Sequence, residues 1–148
     1  MPLRLAAVAL LAACALPGCA PRAALSPAPV RIHPMPPDLL GAFVDDYGNA
    51  FAITPETWTQ LPHGRFHIVR WDAQTLIARN DTANTHAPGL WTRIDWVRLD
   101  GMAPYTWAFC LTAYDAPTRD AAEATPAADR ATPRTGCNGY PFSRMRRP

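Results

Sequence analysis

Lysine is absent from this chain of 148 residues, whose 14 basic side chains are all arginine. With its abundant Ala, Arg and Pro, the chain bears the mark of a GC-rich coding sequence, a bias that carries no chemistry of its own. An excess of one charge is lacking too. The formal balance is +2 at pH 7, too small for the basic footprint with which a nucleic-acid-binding protein neutralises phosphates, so no nucleic-acid partner is expected. The apolar run at residues 5–16 is twelve residues long, whereas a membrane-spanning helix needs about 20. No segment repeats at a period of about 20 to 50 residues, which excludes solenoids and propellers. Proline, by contrast, is plentiful: 17 residues are more than a domain of this size takes into its strands and helices, so part of the chain belongs outside the fold.

Residues 1–18 read as a secretory signal, with a short positive start followed by the apolar run. Next comes Leu16-Pro17-Gly18-Cys19, which resembles the lipobox of bacterial lipoproteins; the resemblance implies that Cys19 receives a thioether-linked diacylglycerol and that everything before it is removed. Leu11-Ala12-Ala13-Cys14 is a competing match, but lipidating Cys14 leaves three thiols in an oxidising compartment, whereas lipidating Cys19 leaves only Cys110 and Cys137. In diderm lipoproteins an aspartate after the lipidated cysteine retains the protein at the inner membrane. Ala20 stands here, so the resemblance implies a cell-envelope protein of the outer membrane, facing the periplasm or the cell surface. Residues 19–38 are Pro- and Ala-rich and read as an extended tether.

Residues 39–148 supply the domain. Short strands punctuated by Gly, Pro, Asn and Asp predict hairpins at 41–47 with 49–54, 65–71 with 74–80, and 90–100 with 105–112, and a further strand within 138–145. Phe43, Phe51 and Ile53 are core candidates. Tyr105, Trp107, Phe109 and Leu111 alternate with Thr106, Ala108, Cys110 and Thr112, which predicts one greasy face and one small, polar face. One helix is expected at 117–124, capped by Asp115, and an exposed loop at 125–135. The expected class is all-β, a small antiparallel barrel or sandwich in a calycin-like meander with at most one short helix. Two mature thiols in an exported protein predict a Cys110 to Cys137 disulfide. No C-x-x-C or H-x-x-x-H spacing accompanies either cysteine, so no metal is expected there.

The densest informative stretch is Trp91-Thr92-Arg93-Ile94-Asp95-Trp96. In a strand Trp91, Arg93 and Asp95 share one face, while Thr92, Ile94 and Trp96 share the other, and either face can point inward. If the first lines a cavity, Arg93 clamps an anionic group while Trp91 stacks on the ligand body. If the second is the core, Arg93 and Asp95 form a solvated pair. His67, on a strand face with Val69 and Trp71, completes the candidate ligand-binding set of Trp91, Arg93, Asp95, His67 and Trp71.

A nucleophile needs a base and the base an orienting group. His33 lies in the tether and His63 and His86 in polar loops, and adjacent Asp45 and Asp46 point to opposite faces of a strand, so no catalytic constellation, enzyme activity or cofactor is expected.

Leu40-Gly41-Ala42-Phe43 resembles the G-x-W opening of the lipocalins, with Phe43 in the tryptophan's place, which implies a calycin-like barrel. More broadly, D-D-Y-G-N at 45–49, W-x-R-x-D-W at 91–96, W-x-F-C at 107–110 and G-C-x-G at 136–139 resemble a group of small uncharacterised secreted proteins of Gram-negative bacteria, a resemblance that brings no activity with it. The expected role is a lipid-anchored barrel that binds a small hydrophobic or anionic molecule. The alternative is a structural lipoprotein with a filled core that contacts another envelope protein.

Overall fold

Side chains two apart on a strand share a face, and that rule selects the interior here. The computed structural model describes residues 35–148, so the readings for Cys14, Cys19, the signal and most of the tether lie outside the described residues. Eight strands run in sequence order: β1 (Gly41–Asp45), β2 (Ala50–Ile53), β3 (Thr57–Leu61), β4 (Gly64–Trp71), β5 (Thr75–Asn80), β6 (Trp91–Arg98), β7 (Trp107–Ala116) and β8 (Ser143–Arg146). Each pairs antiparallel with the next, and β8 closes on β1 through Val44 opposite Arg146 and Asp45 opposite Met145. The expected all-β class is therefore realised as a closed meander barrel. The one α-helix among the described residues, α1 (Arg119–Ala124), is capped by Thr118, whose hydroxyl accepts from the Ala121 N–H at 3.1 Å. Asp115 is not the cap, because β7 runs on to Ala116.

Phe43, Phe51, Ile53, Trp58, Trp107 and Phe109 are buried in the bore. Their rings meet edge to face, Trp58 with Phe109 at 5.0 Å and Phe43 with Trp107 at 5.1 Å, the geometry in which ring quadrupoles attract. One end of the barrel is plugged by Leu39, carried on a 3-10 turn at Pro37–Leu39, with Met35 and Leu40 packed beside it. The chain is thus already part of the fold at Met35, four residues before the expected domain start. Arg65, His67 and Arg79 are exposed on the outer face of β4 and β5. Apolar inside and charged outside is the reverse of the pattern of a membrane-spanning barrel.

Two expectations about β4 and β7 change. In β4 the register shifts between Ile68 and Arg70, so Val69 is an extra residue and the faces exchange beyond it. Trp71 consequently turns into the core while His67 stays outside, and the two do not share a face. In β7 the small face is not left to solvent. Ala108 and Cys110 are buried under Ala128 and Phe142, forming a second core with Val97, Leu99 and Cys137.

The cover is residues 117–142, a strap laid against the outer wall. Its middle, expected as an exposed loop, holds buried Ala128, and a Cβ at Gly136 would come within 1.9 Å of the Asp129 carbonyl oxygen, so only glycine fits that close approach. Cys137 joins Cys110 across a separation of 27 residues. Replacing both cysteines by alanine is expected to lower stability by about 3.5 kcal/mol on the chain-entropy account, read as a fall in the urea midpoint with a steeper slope, because the unfolded chain loses its cross-link and exposes more surface.

Candidate functional site

β6 carries three of the residues singled out from the sequence, and the barrel fixes which face of it is core. Ile94 and Trp96 pack inside, so Arg93 and Asp95 lie outside, beneath the strap. They form neither a ligand clamp nor a solvated pair. Asp95 is fully buried. One carboxylate oxygen accepts from Thr75 Oγ1 at 2.6 Å, Arg130 Nη2 at 2.8 Å and Arg93 Nη2 at 3.2 Å. The other accepts from Thr112 Oγ1 at 2.6 Å, the Ala128 N–H at 3.0 Å and Arg93 Nε at 3.1 Å. Burial alone pushes this carboxyl up, but the bonds from Arg93, Thr112, Thr75 and Ala128 outweigh it and hold the group below its ordinary value of 3.8. Arg93 Nη1 donates to the carbonyls of Glu123 and Thr125 at the end of α1, so four of its five N–H donors are spent within the protein.

The other candidates are dispersed. Trp71 is in the core, its Nε1 donating to the Pro55 carbonyl at 3.3 Å. His67 Nε2 pairs with Asp81 Oδ2 at 2.7 Å on the outer surface; the Ala83 N–H and then His67 hold the Asp81 carboxyl below the usual range. Trp91 is half-buried on the outer face, opposite Arg79 and Ala116. Of the set, only Arg93 and Asp95 are hydrogen-bonded to one another, and the five do not converge on one cavity.

A cavity of about 590 Å³ lies instead at the end of the barrel opposite Leu39, touched by Gln60 of β3, Phe66 of β4 and Leu111 of β7. β7 is not a neighbour of β3 or β4 in the sheet, so a space they share opens from the bore. A smaller concavity of about 220 Å³ adjoins it across Gln60 and Leu111 and reaches Phe51 and Phe109. The floor of this mouth is therefore aromatic and aliphatic. Around the larger part stand Gln60, His63, Thr85, His86 and Tyr114, none of which makes a side-chain hydrogen bond among the described residues. No acid or arginine lines that part. In the smaller part Asp45 is satisfied by the Tyr47 N–H, the Asn49 N–H and Asn49 Nδ2.

The rim is built rather than loose. Asn80, buried, donates through Nδ2 to the Ala87 carbonyl at 2.9 Å and the Tyr114 carbonyl at 2.7 Å, and accepts from Thr92 Oγ1. Asn84 bonds both backbone groups of Arg65. Between these anchors Ala87 is held at φ 48°, a left-handed conformation that costs a side-chain-bearing residue energy. Sequence reasoning missed Gln60 because it missed β3, although the alternation in Thr57-Trp58-Thr59-Gln60-Leu61 is a signal that could have revealed the strand. Comparison of the chain with known protein families, curated proteins and solved structures returned no match.

Replacing Asp95 by Asn keeps its shape and leaves two guanidiniums without their anion, so stability at pH 7 is expected to fall by about 3 to 5 kcal/mol. The folded pKa is depressed, so the carboxylate's contribution is full above the ordinary value and is lost as pH falls through the lower folded one. Urea titrations from pH 7 to pH 2 are expected to show the gap between the two proteins narrowing below about pH 4.

Proposed function

We propose that this chain is an exported envelope lipoprotein, anchored through Cys19, whose barrel holds a small uncharged molecule with an apolar body at its open end and performs no chemistry on it. The observation that carries the reading is the set of unpartnered polar side chains, Gln60, His63, Thr85, His86 and Tyr114, around a floor containing Phe66 and Leu111. An apolar cavity with a few free polar groups is the usual design of a small-molecule site, and a volume near 590 Å³ falls within the range such sites occupy. Strain at Ala87 is consistent with it, because an unfavourable backbone persists where the surroundings impose it. The absence of charge around the larger part, with Asp45 of the smaller part already satisfied, favours a neutral ligand over the anionic one that an Arg93 clamp would have selected.

The aromatic packing of the bore supports a second reading, a filled barrel that serves as an interaction module. The two separate on ligand titration. Trp58 lies 5.0 Å from Phe109 and 6.0 Å from Phe51, ring to ring, so its fluorescence reports on the floor. Uncharged amphipathic compounds are expected to change tryptophan emission saturably, and Leu111→Arg is expected to weaken the best of them by about 100-fold by placing a charge on the floor. A panel that leaves emission unchanged, together with a single dominant cross-linked partner in intact cells, would replace this reading with the interaction module. The intact mass of the protein taken from its own host is expected to carry a diacylglycerol on Cys19; a bare mass contradicts the anchor.

A further inference from the structure

A second concavity, of about 570 Å³, lies outside the barrel, between the strap and the outer face of β7 and β8. Its apolar lining includes Tyr47, Leu99, Met102, Pro133 and Pro141, with Phe142 buried behind them. Tyr47 and Met102 are exposed at 68% and 40%, large apolar groups left open to water. The strap side is fixed, because the Phe142 N–H donates to the Pro133 carbonyl at 2.8 Å and Cys137 ties the segment to Cys110 in β7.

Two guanidiniums flank this trough. Arg144 gives its Nε to Asp46 Oδ2 at 2.8 Å and lies over the Tyr105 ring at 4.8 Å, while its Nη groups make no hydrogen bond. Arg134 makes no hydrogen bond or ion pair among the described residues. Asp46 is the acid that lines the cleft, and Arg144 already neutralises it. One positive charge is left over, presented on a planar fork beside an apolar wall.

We infer that this cleft binds a small amphipathic monoanion, an apolar body bearing one carboxylate, with the carboxylate on Arg134 and the free Nη groups of Arg144 and the body against Met102, Tyr47 and Pro141. Guanidinium suits a carboxylate because two parallel N–H donors match its two oxygens. The size of the cleft suits a small ligand. This site shares no lining residue with the larger mouth cavity, and of its residues Tyr47 alone also borders the smaller concavity.

The test is NMR of the full chain in zwitterionic nanodiscs, observing the Met102 methyl while 3-phenylpropionate, 3-phenylpropanol or 3-phenylpropylamine is added. The carboxylate is expected to shift that methyl saturably, with the alcohol and the amine at least about tenfold weaker. Arg134→Glu is expected to abolish the carboxylate's effect and Arg134→Lys to weaken it severalfold. Arg134 is exposed and unbonded, so both variants are expected to keep the parent spectrum elsewhere. Leu111→Arg, at the mouth, is expected to change nothing at Met102. Equal binding of the three probes, an unaffected Arg134→Glu variant, no shift at Met102, or sensitivity to Leu111→Arg would each overturn the assignment.

Discussion

Taking a carboxylate out of water is costly unless donors replace the water it loses, and at Asp95 six hydrogen bonds converge to do so. Those donors come from β5, β6, β7 and the strap. Thr75 and Thr112 are wall residues, whereas the Ala128 N–H and Arg130 belong to the segment that crosses the outside. The same carboxylate therefore joins three adjacent strands to their cover. Arg93, held by Asp95, reaches on to the last carbonyls of α1, where a cation suits the negative end of a helix.

With the strap held outside by polar contacts and by Cys137, the bore is left to the aromatic side chains. Trp58, Trp107, Phe43, Phe51 and Phe109 fill it in edge-to-face contact, and Leu39 closes one end. Among the described residues no comparable plug sits at the other end, where Leu111 and Phe66 meet the free side chains of Gln60, His63 and His86. The division between a closed end that receives the chain and an end that presents unpartnered groups gives the barrel two unlike ends. The strap adds a second concave surface of different character, flanked by two arginines where the larger mouth cavity has none.

Sequence alone made the class legible, because alternation survives wherever one face is buried: Phe51 with Ile53 and Trp107 with Phe109 mark their strands plainly. Three things escaped it for physical reasons. A bulge adds one residue without changing composition, so the inversion that separates His67 from Trp71 at Val69 leaves no trace in the pattern. The alternation of β3 is present but brief, five residues between two turns, and with β3 went Gln60 at the mouth. The strap reads as an exposed Ala, Thr and Pro loop because its burial depends on partners far away in sequence, Arg130 on Asp95 above all. Arg93 and Asp95 were legible as a pair but not as a buried one, since an outer strand face is polar by default and only the cover makes it dry.

Asp95 is thus the polar fastening between the barrel and its strap, beside the disulfide from Cys137 to Cys110. Amide hydrogen exchange in Asp95→Asn under native conditions tests this directly. The account predicts that Ala122, Ala128, Asp129 and Cys137 exchange faster while the amides of β2 to β5 and of the mouth loop keep their relative protection. Barrel and strap amides accelerating together as one unit, or strap amides unchanged by the substitution, would contradict it.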